Sequence, residues 1–241
     1  DSLGSRAWLM SHFGVPYIFN EGLGPNRDQL IEYYEWWGNL RESGAASPAE
    51  VTVSADDNQN SPIATGDVAM LPISLGSYTR FQSNTTDELA FYPFPQGQYN
   101  NNEVGPGMLL SMSPHTDHPE MAAKFLNFMT NDVEAGMTIR TEMGIPSNAE
   151  RRAALQEAGL DENSEVGFSL HNWIVDNLGT VKAVATHPSY TEMWTFRTTQ
   201  EQQLSYERAS VEELVDSIVN KAEDVGLAVP DSPREPVVPE Q

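Results

Sequence analysis

The sequence lacks cysteine altogether and is poor in positive charge: 241 residues carry 13 Lys plus Arg against 35 Asp plus Glu, a formal net charge of -22. Without cysteine there is no disulfide, no thiolate metal site and no cysteine nucleophile. The absence also suits an exported protein that folds without oxidative help. Only Lys124, Lys182 and Lys221 are lysines. The adjacent basic pair Arg151-Arg152 is too small a stripe to attract a phosphate backbone, so nucleic acid is excluded as a partner and anionic lipid is disfavoured. No apolar run approaches the roughly 18 residues of a membrane span, and no signal peptide is visible. What is present is a globular composition, 39% hydrophobic and 20% charged, with 5 Trp, 8 Tyr and 9 Phe. That is enough for a sizeable core and a binding surface in one or two domains. The acidic skew resembles that of proteins from high-salt habitats, where screening makes self-repulsion tolerable.

Helical periodicity is plain in several places. Leu30, Tyr33, Trp37 and Leu40 recur after the turn Asn20 to Asn26 and predict a helix from Asp28 to Arg41. Asp117 as cap, Pro119 in the first turn and the apolar Met121, Phe125, Phe128 and Met129 predict a second. Further helices are expected at 133–143, stopped by Gly144, and from Ser147 with Glu150 as a capping box. Beyond Ser164 the pattern stays helical, with Phe168, Trp173, Ile174 and Leu178 as core residues. Ser210 with Glu213 caps the best-defined helix, whose face is Leu214, Val215, Ile218, Val219, Ala222 and Val225. Strands are expected at Val51-Thr52-Val53, Gly66 to Ile73, Glu88 to Phe94 and Gly107 to Ser113. From Ala228 on, Pro230, Pro233, Pro236 and Pro239 read as an extended tail.

The usual catalytic and cofactor signatures are absent. Gly105-Pro106-Gly107 begins like a dinucleotide fingerprint but lacks the third glycine and leads into a strand, and no phosphate loop occurs. No cofactor is therefore expected. His115 and His118 beside Asp117 fit helix capping better than metal ligation. No acidic residue stands in an apolar setting that would raise its pKa for acid-base work. Trp8, Tyr78 and Trp194 are different, because their segments also carry Gly, Pro, Ser or Thr. Aromatic faces stack on the C–H surface of sugars while hydroxyls, amides and charges read the hydroxyl pattern. For each of the three, core packing and ligand contact are both open readings.

The order of several phrases resembles the extracellular solute-binding proteins of ABC importers, in the group that includes maltose-binding proteins. The phrases are Trp8 with Phe13-Gly14, the helix Asp28 to Arg41, Ile63 to Met70, Pro93-Phe94-Pro95-Gln96-Gly97, Gly105 to Ser113, His118-Pro119-Glu120 with Ala122 to Leu126, and Gly144-Ile145-Pro146-Ser147. The resemblance spans about Trp8 to Gly226. It implies an α/β, two-lobe periplasmic-binding-protein-like fold of type II. Residues 1–103 would form the first part of the second lobe, 104–185 a strand and helices of the first lobe, 186–227 the return to the second lobe, and 228–241 the tail. The chain then lacks the N-terminal part of the first lobe, and a companion segment of the same protein is expected to pair with Met108 to Met112.

The function implied is that of a non-enzymatic receptor, extracellular or periplasmic and membrane-anchored at full length. It would capture a sugar or oligosaccharide in an interlobe cleft and present it to the membrane subunits of an ABC permease. Trp8, Tyr78 and Trp194 would stack on the ligand. Ser74, Ser77 and the backbone at Gly105 and Gly107 would supply polar contacts, and Arg197 would read a carboxylate, phosphate or hydroxyl pair. A carbohydrate-active hydrolase, a binding protein for another polar solute such as glycerol phosphate, and an adhesion module are the alternatives. Two phrases depart from the family pattern: Tyr206-Glu207-Arg208 stands where a glycine is usual, and Gly105-Pro106-Gly107 replaces a double glycine.

Overall fold

A computed structural model describes residues 2–54, 60–104, 108–182 and 187–237. The chain divides into two compact units, one made of residues 1–72, 94–103 and 179–241, the other of 73–93 and 104–178. Residues 73–93 thus group with the second unit, away from the rest of the stretch 1–103.

In the first unit, α1 (Ser2–Phe13) is followed by a tight hairpin of β1 (Ile18–Phe19) and β2 (Gly22–Leu23), in antiparallel register with Ile18 opposite Leu23. Helix α2 (Arg27–Glu42) starts at Asn26, whose side chain accepts from the Gln29 amide while the Gln29 side chain accepts from the Asn26 amide. This reciprocal cap satisfies two otherwise orphaned donors. Helix α3 (Ala49–Ser54) occupies the segment expected as a strand at 51–53. The chain turns into a helix there because Pro48 opens it, its carbonyl accepting from both the amide and the hydroxyl of Thr52.

Later in the chain, α9 (Tyr190–Ser205) and α10 (Val211–Asp224) complete this unit. The capping box of Ser210 and Glu213 forms as expected. The apolar face of α10, Leu214, Val215, Ile218 and Ala222, is buried against α2 and α9. Burying each of the three larger side chains contributes about 1.5–3 kcal/mol. Leu9, Leu23, Leu30, Tyr33, Tyr34 and Met193 fill the same core. Glu207 takes φ +56 in the turn before α10, the left-handed geometry that a glycine would adopt without strain. The tail is extended and docked: Ala228 bridges to Gly22, the Val237 amide donates to the Gly14 carbonyl, and Arg234 donates to the Leu23 carbonyl.

The second unit holds a 3-10 turn (Leu75–Ser77) running into α4 (Tyr78–Gln82), then α5 (Pro119–Asn131), α6 (Val133–Ile139), α7 (Ala149–Ala158) and α8 (Glu162–Asn177). Caps fall close to the expected positions with two corrections. Helix α5 starts at His118 without a side-chain cap, so Asp117 does not cap it, and α7 is capped by Asn148, one residue beyond Ser147. Asp132 and Asp161 cap α6 and α8. Helix α6 stops at Ile139, short of the expected 143, because Arg140 turns to φ +54.

The expected strands at 66–73, 88–94 and 108–113 do not form among the described residues. Residues 61–68 close turns onto Ser61 and Pro62. The Leu89 backbone is held by the side chains of Gln82 and Tyr78, which replace a ladder partner. Met108, Leu109, Leu110 and Met112 are exposed, as is the apolar face of α5 at Met121, Phe125 and Phe128. A strand exists only with a neighbour to accept its amides. The sheets present are the β1–β2 hairpin and a pairing of β3 (Glu103–Val104) with β4 (Val181–Lys182).

Candidate functional site

Helix α9 carries the two sequence candidates that the structure brings together. Arg197, one turn beyond Trp194, is only 2% exposed, and its guanidinium lies between two rings, 4.3 Å from the Tyr17 centroid and 4.4 Å from that of Trp194. Such stacking lets a planar cation enter an apolar setting without losing all of its electrostatic stabilisation. Tyr190 stacks on Trp194 with centroids 6.2 Å apart and planes at 17°. These side chains, with Ser5, Arg6 and Ile18, line a cavity of about 20 Å³.

The charges around it are paired. Arg197 Nε lies 3.3 Å from Glu201 Oε1, one helical turn further on. The same carboxylate oxygen accepts from the Tyr34 hydroxyl at 2.9 Å, and Tyr34 meets the Tyr17 hydroxyl at 3.0 Å. Arg197 Nη1 donates to Ser5 Oγ at 3.3 Å, while Nε and Nη2 have no hydrogen-bond partner. Burial opposes the Arg197 charge most strongly of any one influence, but Glu201 together with the Tyr34, Tyr17 and Tyr33 hydroxyls outweighs it and raises the guanidinium pKa above its ordinary value. Burial also pushes the Tyr17, Tyr33 and Tyr34 hydroxyls well above the usual tyrosine range, so all three are neutral. Arg6 forms a two-pronged pair with Glu103, Nη2 to Oε1 at 2.7 Å.

The other candidates fall elsewhere. Trp8 belongs to an aromatic cluster with His12, Phe13, Tyr33 and Trp36, at centroid distances of 4.5, 5.5, 5.4 and 5.5 Å, and is not among the residues lining the cavity. Ser74, Ser77 and Tyr78 lie in the second unit. There the Ser74 and Ser77 hydroxyls bond to each other at 2.9 Å, and the buried Tyr78 donates to the Leu89 carbonyl at 2.8 Å. Tyr78 lines an open groove of about 1030 Å³ together with Glu88, Phe91, Tyr92, Glu162 and Trp173. Gly105 and Gly107 lie outside the described residues. Sequence reasoning missed Ser5 and Tyr17: each stands more than 170 residues from Arg197, and no spacing rule links positions so far apart.

The model of the family described as bacterial extracellular solute-binding protein matches residues 1–161. The chain belongs to that family. Solved structures of similar fold include a family 1 extracellular solute-binding protein from Alicyclobacillus acidocaldarius, with 22% identity, a TM-score of 0.74, and coverage of 93% of this chain and 58% of that one. A periplasmic solute-binding protein from Pectobacterium atrosepticum has 19% identity, a TM-score of 0.78 and coverage of 92% and 57%. A periplasmic oligogalacturonide-binding protein from Yersinia enterocolitica, solved with saturated digalacturonic acid, has 17% identity, a TM-score of 0.77 and the same coverages, 92% and 57%. The fold of this chain is therefore that of periplasmic solute-binding proteins, and the chain spans somewhat more than half the length of those structures.

Proposed function

We propose that this solute-binding chain is part of a receptor that captures a sugar or oligosaccharide outside the cytoplasm and delivers it to the membrane subunits of an ABC permease, the full-length protein being anchored to the membrane. The observation that carries this reading is the Arg197 sandwich between Tyr17 and Trp194, with Tyr190 beside it and a spare guanidinium donor, in a member of a solute-binding family. Aromatic faces with a few fixed polar groups are what sugar recognition requires. The solved oligogalacturonide-binding structure adds support for a saccharide ligand. Glu103 and Glu201 are held by the cavity-lining Arg6 and Arg197, which favours binding over hydrolysis. A further segment of the same protein would cover the exposed apolar side chains of 108–112 and α5. The exposure of Met108, Leu109, Phe125 and Phe128 supports this.

The test is a thermal-shift screen in high-salt buffer against sugars, sugar phosphates, amino acids and polyamines. A ligand at 100 times its Kd stabilises the native state by about 2.7 kcal/mol. A shift with one saccharide class that is lost in Trp194→Ala, with folding retained, is the expected result. No shift with any saccharide in a folded protein would overturn the reading, and an undiminished shift in the variant would remove Trp194 from the site.

A further inference from the structure

The chain has 35 acidic residues and only 13 basic ones, yet two of the basic ones, Arg6 and Arg197, line the cavity beside Trp194, and among the described residues none of the acids does. The lining thus combines cations, hydroxyls and aromatic faces. The two counter-charges stand outside it: Glu103 pairs with Arg6, and Glu201 lies 3.3 Å from Arg197 Nε. Both carboxylates are partly exposed, whereas Arg197 is buried. Solvent therefore weakens the field of the carboxylates more than that of the Arg197 guanidinium.

Shape adds to charge. Tyr17 and Trp194 cover the two faces of the guanidinium and leave its in-plane donors. Nη1 donates to Ser5. Nε and Nη2 are buried without an acceptor, since Glu201 forms no hydrogen bond with Nε and its Oε1 accepts from the Tyr34 hydroxyl instead. Nε and Nη2 together make the edge whose two parallel N–H groups match the two oxygens of a carboxylate. Leaving such a buried pair open costs stability that a ligand filling it restores. A single hydroxyl oxygen fills one end of the edge, while a carboxylate fills both with charge-assisted bonds. The cavity is not enclosed, so its volume of about 20 Å³ does not bar a carboxylate whose sugar ring stays outside. Tyr190 and Trp194 offer that ring an aromatic surface.

We infer that this cavity receives the carboxylate of an acidic saccharide on the Nε–Nη2 edge of Arg197, and that the receptor takes uronic acids in preference to their neutral counterparts. The inference rests on the receptor reading above and narrows it. The net charge of -22 opposes any anion at long range. At 1 M salt that field is screened beyond about 3 Å, and the contact with Arg197 is not.

Calorimetric titration of the protein in 1 M NaCl tests it with matched forms of one sugar: galactose, galacturonic acid and its methyl ester, and the same three forms of glucose, each as mono- and disaccharide. In every set where binding occurs, the acid is expected to bind at least about tenfold more tightly than the sugar or the ester. The ester keeps the shape of the acid without its charge, so this comparison needs no variant. Arg197→Lys keeps a cation beside Glu201 but lacks the paired edge, and with an unchanged circular dichroism spectrum it should lose most of the preference for the acid. Equal or tighter binding of a neutral form would overturn the inference while leaving the receptor reading intact. So would a preference retained in full by a folded Arg197→Lys. Tighter binding of glucose 6-phosphate than of glucuronic acid would overturn it too, because a tetrahedral anion would then be the better match. Absence of binding by every neutral and acidic saccharide would sink both readings together.

Discussion

Removing the charge of Glu201 while keeping its shape isolates what holds Arg197 in place. In Glu201→Gln the amide oxygen can still accept from Tyr34, but the guanidinium, 2% exposed, loses its counter-charge. At 3.3 Å and an effective dielectric of about 20, the lost attraction is about 5 kcal/mol. The Glu201 side chain is 19% exposed, so part of this is recovered because a carboxylate no longer has to be desolvated. A net loss of about 3 kcal/mol is expected, at the low end for breaking a buried pair.

Arg197→Met is the counterpart. It removes the buried charge itself and leaves a carboxylate that reaches water and keeps the Tyr34 hydrogen bond. Its cost is the loss of two ring contacts, partly replaced by the methionine, or about 1–2 kcal/mol. Urea unfolding followed by circular dichroism and tryptophan fluorescence would measure both. With a slope near 2 kcal/mol/M, the midpoints should fall by about 1.5 M for Glu201→Gln and about half that for Arg197→Met. The double variant should resemble Arg197→Met, since the penalty of the unpaired cation is then gone. A larger loss in Arg197→Met than in Glu201→Gln would refute this account and show that ring stacking, more than the ion pair, holds the guanidinium.

Two further changes follow from local geometry. Burial works to raise the Asp161 pKa, but the Ser164 amide and hydroxyl and the Arg140 guanidinium overcome it and hold the carboxyl below its ordinary value. Its stabilising contribution is therefore complete above the unfolded carboxylate pKa and disappears as pH falls through the depressed folded value. Asp161→Asn keeps the cap acceptor, so it should cost under about 1 kcal/mol at neutral pH, and its gap from the parent should close in acid by pH-dependent urea titration. Glu207→Gly relieves the left-handed backbone at φ +56 and should raise stability by up to about 1 kcal/mol. A lower melting temperature in calorimetry would count against that strain.

The helices are legible in the sequence because their signals are local. Asn26 with Gln29 and Ser210 with Glu213 put both partners of each cap within three residues, and the face of α10 repeats at the helical period. Residues 66–73, 88–94 and 108–113 have strand-like apolar runs, but pairing depends on a neighbour, and local turns or side chains satisfy the backbone of the first two. Segment 51–53 misleads because Pro48 starts a helix whose β-branched residues resemble a short strand. At the site, the Trp194 and Arg197 pair stands three residues apart on one helix and is visible in the sequence, whereas Tyr17 reaches it only through the fold of the first unit. Trp8 illustrates the ambiguity of single aromatics: its neighbours Phe13, Tyr33 and Trp36 place it in a packed cluster.

The first unit is assembled from three stretches of chain, and the second lies wholly between the first and last of them. Leu30 and Ile218 share one core although 188 positions separate them. During synthesis the early helices α1 and α2 must therefore wait, their apolar faces open, until α9 and α10 leave the ribosome, while the second unit has all of its own residues much sooner. Closing so long a loop is slow, and the waiting surface is a target for wrong partners. Within this stretch, the earlier-made helices of the first unit can finish folding only after the later-made ones arrive.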